Sequence, residues 1–147
     1  MTASEYFDQL TKQIISLHTH LLKMHIQYCN RYKHFTHRVK DEELKKDIQL
    51  INQFFFNEKG NINWETICSL MPPKIERKIK NEYDALNENE IRLCCLLLFN
   101  VPCKDITGIL PYTQKSIHSI THRVKQKTGL KNIKEGLRNI LLFEKIE

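Results

Sequence analysis

The chain is short of glycine and of proline, with four of each in 147 residues. So small a supply of turn-formers and helix-breakers excludes a turn-rich β architecture and favours long helices. The longest apolar run, Leu93–Phe99, has seven residues, far below the ~20 that span a bilayer, so no membrane partner is expected. The opening residues MTASEYFDQL lack a basic segment followed by an apolar core, which predicts no signal peptide. Five cysteines, Cys29, Cys68, Cys94, Cys95 and Cys103, form no CxxC pair, and their number is odd. They read as reduced core residues of a cytoplasmic protein rather than as a disulfide framework or a zinc knuckle. A Gly-rich phosphate loop, HExxH and GxSxG are also missing, so an enzyme is the weakest class and no cofactor is expected. No repeat of ~20–50 residues appears, which argues against a solenoid.

What remains is enough for a packed core: 41% apolar and 27% charged residues, with seven Phe, five Tyr and one Trp. The formal charge is +6, unevenly spread. Residues 101–147 carry nine Lys+Arg against four Asp+Glu, whereas residues 1–100 carry fourteen against thirteen. A basic excess at one end points to a polyanion partner there; a solvated basic face is the plainer alternative.

From Ser4, a plausible N-cap, to Phe56 there is neither glycine nor proline. Phe7, Leu10, Ile14, Leu17, Leu21, Met24 and Tyr28 follow at alternating steps of three and four, an apolar heptad seam suited to dimerisation. Ile15, Leu22 and Ile26 widen it, as in a helix with more than one neighbour. The seam can pair with a second copy or fold back on the rest of the chain. The pattern weakens over 29–40 and resumes with Leu44, Ile48, Ile51 and Phe55, so either one helix shifts its seam or two helices meet near Asp41. His34 and His37 share a helical face but have no third ligand at matching spacing, so no metal site is expected. His18, His20 and His25 flank the seam. Short helices are predicted over 63–70, capped by Asn63 and carrying Trp64 as a core anchor, and over 74–83, with Met71-Pro72-Pro73 between them. The organisation is a helical arm over 1–58, a connector over 59–85 and a C-terminal unit over 86–147.

The C-terminal unit opens with Asn87 and Glu90 at capping-box spacing, followed by a helix to Phe99 whose apolar residues nearly encircle it. Asn100-Val101-Pro102 stops it. A short helix fits Lys104–Leu110, Pro111-Tyr112 makes a turn, and Thr113 caps a helix from Gln114 to about Lys127. Ile117, Ile120 and Val124 give that helix one buried edge. Its other faces carry Lys115, Ser116, His118, Ser119, His122, Arg123, Lys125, Gln126 and Lys127. Gly129 ends it, and Asn132 with Glu135 starts a closing helix to about Phe143. Helix, tight turn and a basic helix with one apolar edge form the helix-turn-helix pattern, whose second helix suits the major groove.

Leu86-Asn87-x-x-Glu90, Lys104-Asp105-Ile106, Leu110, Thr113, Ser116-Ile117 and Lys127-x-Gly129 resemble the C-terminal DNA-binding domain of LuxR-type transcription regulators, in the variant found in Bacteroidetes. The resemblance covers residues 86–143 without gaps, and WETICSLMPPKIERKI is similar to the connector that precedes the domain there. Asn100 stands where the family usually has glycine, Thr107 where alanine and Thr128 where leucine is usual. The resemblance implies an all-α fold, a helical, coiled-coil arm followed by a four-helix helix-turn-helix domain, and double-stranded DNA as partner. It implies that Lys115, Ser116, His118, Ser119, His122 and Arg123 face bases or phosphates, with Lys104, Lys125 and Lys127 on phosphates; Thr113, which caps the reading helix, is counted with these DNA-binding residues. The expected assembly is a homodimer that matches two half-sites about one helical turn apart. The competing reading is a protein–protein adaptor, its arm binding another regulator or a sigma factor. The absence of Asp and Glu from residues 114–127 favours DNA over it.

Overall fold

Scarce glycine and proline leave their mark at once on the computed structural model, which describes residues 1–142. The first helix, α1 (Ala3–Thr36), runs 34 residues unbroken. It starts at Thr2 rather than at Ser4, because Thr2 places Glu5 at the third helical position. Glu5 N donates to Thr2 Oγ1 at 3.1 Å, and Thr2 N donates back to Glu5 Oε2 at 3.2 Å. A cap at Ser4 would put Phe7 at that position and satisfy only one of the two free amides. The break falls near Asp41, whose carboxylate accepts from Leu44 N at 3.0 Å and caps α2 (Glu42–Phe55). Thus the first 56 residues form two helices.

The seam behaves differently from its apolar content. The buried residues of α1 are Thr11, Ile15, Leu22, Ile26 and Cys29, all but Ile26 one residue further on than a seam position. Phe7, Leu17, Met24 and Tyr28 remain 43%, 57%, 55% and 56% exposed, and Leu10, Ile14 and Leu21 are half-buried. One residue is a rotation of about 100° on a helix, so α1 carries two apolar stripes. The inner one, not the heptad seam, packs on the rest of the chain. Burying Ile15, Leu22 and Ile26 contributes about 2 kcal/mol each before ordering costs.

Polar ties reinforce that docking. His18 Nδ1 donates to the Leu70 carbonyl at 2.7 Å, and Lys33 Nζ donates to the Gly60 carbonyl at 3.2 Å. The Thr66 hydroxyl gives its proton to the Asn63 carbonyl, so at 3.2 Å it accepts from His25 Nε2. Burial lowers the His25 pKa. These two histidines face the core rather than flanking an outer seam.

The connector turns at 57–61, where Phe56 and Ile62 form an isolated antiparallel bridge and Gly60 adopts φ 82°. Next come α3 (Trp64–Ser69) and α4 (Ile75–Glu82). Trp64 is half-buried against the core, donates from Nε1 to Glu76 Oε1 at 2.7 Å and lies under the Arg92 guanidinium. Asn63 is the N-cap residue of α3 but makes no side-chain cap; its amide donates instead to the Gln53 and Phe54 carbonyls.

At the centre lies α5 (Glu88–Leu98), with Ile91, Leu93, Cys94, Cys95, Leu96 and Leu98 buried. Its capping box forms as the spacing predicts: Glu90 N donates to Asn87 Oδ1 at 2.9 Å, and Asn87 N donates to Glu90 Oε1 at 2.9 Å. After it come α6 (Cys103–Ile106), α7 (Gln114–Thr128) and α8 (Ile133–Leu137), which passes into a 3-10 turn, Arg138–Leu141. The expected helix 104–110 is shorter because Gly108 N and Ile109 N bond three residues back, to Asp105 and Ile106. Pro111 has no amide with which to resume the ladder. The closing helix also tightens early, and its expected end at Phe143 lies outside the described residues. Gly136 sits so close under Leu130 that an added Cβ would collide with it.

The fold is all-α, and no strand forms among the described residues. One core runs from Ile15, Leu22 and Ile26 of α1 to Leu137 of α8, with α2 reaching it through Phe55. The arm folds back along the C-terminal unit. No helix among the described residues is long and apolar enough to cross a membrane.

Candidate nucleic-acid interface

Each end of α7 is set by a side chain or a conformation legible in its sequence. Thr113 Oγ1 accepts from Ser116 N at 3.1 Å and donates to Ser116 Oγ at 3.0 Å. Gly129 closes the other end in the left-handed conformation, φ 74°, where a side chain would be strained. Between them Ile117, Ile120 and Val124 are buried and fix the helix's rotation against α5 and α6.

That rotation gathers most of the expected contact residues. Lys115, His118, Ser119, His122 and Lys125 are all exposed, and their spacing confines them to about a third of the helix circumference. Gln126, on the same face, donates to His122 Nε2 at 3.3 Å. No carboxylate occurs anywhere on α7. Lys104 is exposed on α6, apart from this face. Thr113 and Ser116 spend their hydroxyls on each other at the cap.

Arg123 and Lys127 stand differently. Both turn toward Glu90, whose side chain is 0% exposed. Arg123 Nε donates to Glu90 Oε2 at 2.8 Å and Lys127 Nζ to Oε1 at 2.7 Å. Burial alone would raise the Glu90 pKa. The Asn87 amide and the two cations outweigh it and hold the carboxyl below its ordinary value. Arg123 engages through Nε with a side chain half exposed, so its terminal nitrogens keep capacity for a phosphate; Lys127, 32% exposed, has less. The expectation that both serve DNA alone overlooked this inward role. A hint existed in the i, i+4 spacing of the two cations, but Glu90 lies 33 and 37 residues away and already had a local role in its capping box.

Asn100 adopts φ 61°, the left-handed conformation that glycine takes most easily. Its amide nitrogen donates to Thr19 Oγ1 of α1 at 3.2 Å, and its oxygen accepts from Lys134 of α8. It therefore ends α5 and ties two other helices to that end.

Among the described residues no group of three His, Cys, Asp or Glu side chains could hold a metal ion, and all five cysteines are free. Burial raises the thiols: Cys29 to about 11, Cys68 to about 11, with Glu76 adding to the effect, and Cys94 to about 12. No protein-family model, curated protein or solved structure matches the chain.

Proposed function

We propose that the chain is a sequence-specific DNA-binding transcription regulator of the LuxR type, with α7 as its reading helix in the major groove. The observation that carries this is the exposed face of Lys115, His118, Ser119, His122 and Lys125 on a helix rigidly seated by its opposite edge. A preorganised helix presenting cations, hydroxyls and imidazoles with no acid can span a groove, its lysines on phosphates and its shorter side chains on base edges. The left-handed backbone at Asn100 supports the same reading, since the family usually has glycine there.

Dimerisation through the outer seam of α1 completes the proposal. Phe7, Leu17, Met24 and Tyr28 form an exposed apolar row of the kind a second identical helix covers. A two-fold pair of this chain would offer two reading helices to two half-sites.

Genomic fragments selected by the intact protein, titrated by fluorescence anisotropy, provide the test. Lys115→Glu with Lys125→Glu should weaken binding at least about tenfold and flatten its salt dependence, by about one unit of slope for each phosphate contact removed. Neither residue has a side-chain partner within the protein among the described residues, so the melting temperature should hold. Unchanged affinity would overturn the assignment of α7.

A protein–protein adaptor remains the second reading, on one observation. Besides the α1 seam, Leu44, Leu50, Ile51 and Phe54 of α2 are 46%, 60%, 41% and 71% exposed, more apolar surface than one dimer seam requires.

A further inference from the structure

A cleft of about 560 Å³ lies between α1 and the α8 end of the chain, with buried Ile15 at its base. That volume is in the range of small-molecule sites. One wall is a single face of α1, where Lys12, Ser16, Thr19, His20 and Lys23 recur at steps of one to four. The other holds Lys134, Glu135 and Arg138. Four permanent cations thus face one carboxylate. Adding Asp8 at the rim, which pairs with Lys12 and with Arg138 at 3.1 Å each, still leaves a surplus of two positive charges. Lys23 and His20 have no partner among the described residues.

The cleft is braced at two places. Asn100 joins Thr19 of α1 to Lys134 of α8, and Arg138 joins Asp8 of α1. Asp8 and Thr19 are about 16 Å apart along the helix. These ties hold the two walls near one another, so an occupant has less ordering to impose. Lys12 pairs with Asp8, and Arg138 with both Asp8 and Glu135, so the unbalanced charge rests on Lys23 and Lys134, and an anion between these two offsets their repulsion.

We propose that this cleft binds a small molecule through a polyphosphate group, independently of the reading assigned to α7. Several negative charges must fit into one short groove, which phosphates joined in a row supply and a single carboxylate does not. Lys23, His20 and the Ser16 and Thr19 hydroxyls lie on the α1 wall and Lys134 and Arg138 on the other, while Lys12 at the far end is held by Asp8. No aromatic ring other than His20 lines the cleft, so recognition falls on the phosphates and not on a base. Because the occupant bridges α1 and α8, it strengthens the docking of α1.

The full chain is titrated with inorganic tripolyphosphate, GTP and sulfate at matched ionic strength, by calorimetry and by thermal unfolding. Tripolyphosphate and GTP are expected to bind and to raise the melting temperature; sulfate is not. Lys23→Gln should weaken binding several-fold and Lys23→Gln with Lys134→Gln about tenfold or more, whereas Lys45→Gln on α2 should change nothing. Lys23→Gln alone breaks no contact within the protein, so its effect stands even if loss of Lys134 disturbs Asn100. Absence of binding by tripolyphosphate, an equal response to sulfate, or undiminished binding by both Lys23 variants would each overturn the site. Binding by GTP without tripolyphosphate would overturn the assignment to phosphates.

Discussion

Glu90 offers the sharpest test of how α7 is held. Replacing Arg123 and Lys127 together by Gln leaves a fully buried carboxylate with little more than the Asn87 amide to compensate it. Removing the partner of a buried charge costs about 3–5 kcal/mol. Arg123 is half exposed, so water can replace part of what it supplies, and about 3 kcal/mol is the reasonable expectation. At roughly 2–4 °C per kcal/mol for a chain of this size, the melting temperature should fall by about 6–12 °C. The pH dependence carries the diagnosis. In the parent, the Glu90 pKa lies below its ordinary value, so its contribution to stability is present above the unfolded carboxyl pKa of about 4.3 and is lost as pH falls through the folded value. In the double variant burial dominates and the pKa rises. The penalty is then greatest near neutral pH and shrinks as acid neutralises the carboxyl. Adding Glu90→Gln should recover part of the loss by removing the buried charge. Thermal melts followed by circular dichroism between about pH 4 and 7.5 measure the parent and both variants. A drop of under about 2 °C, or a penalty that does not vary with pH, would refute the account of Glu90 as a charge held by these two cations.

Two further expectations concern α1 and the thiols. Leu17→Glu with Met24→Glu should convert a dimer to a monomer in sedimentation while leaving the fold intact, since both side chains are more than half exposed; Leu22→Ala should do the opposite, costing about 2–5 kcal/mol without changing the assembly. A parent protein that sediments as a monomer at high concentration would sink the outer seam as a dimer interface. Native protein treated with a thiol reagent near neutral pH should react first at half-buried Cys103, while Cys29, Cys94 and Cys95, buried and with raised pKa values, wait for unfolding; three or more fast equivalents would contradict the packing around α5.

Much of this architecture was legible wherever the signal is local. Asn87 with Glu90, Thr113 before Gln114 and Gly129 after Thr128 each act within four residues, and each sets a helix end as its spacing predicts; at Asp41, where the sequence left one helix or two open, the cap on Leu44 decides for two. The rotation of α1 was not legible. Seven apolar residues at heptad spacing predict a covered stripe, yet the stripe covered within the chain contains Thr11, His18 and Cys29. Periodicity reports that a helix has an apolar face; it does not name the surface that meets it. Glu90 was half legible, its capping role being local and its two cations lying far along the chain. The cleft between α1 and α8 was invisible, since its walls come from residues 12–23 and 134–138.

In a dimer of the proposed kind, the two stripes of α1 would also set the spacing of the DNA half-sites. Both belong to one continuous helix, offset by about 100°, so a pair formed along the outer stripe would carry each C-terminal unit as a rigid flank with no flexible tether. The separation and phase of the two reading helices would then be machined into α1. Each base pair inserted between half-sites turns the second by about 34–36°, and such a dimer has little slack with which to follow it. If α7 reads DNA as proposed, the operator should tolerate changes of sequence between its half-sites far better than changes of length.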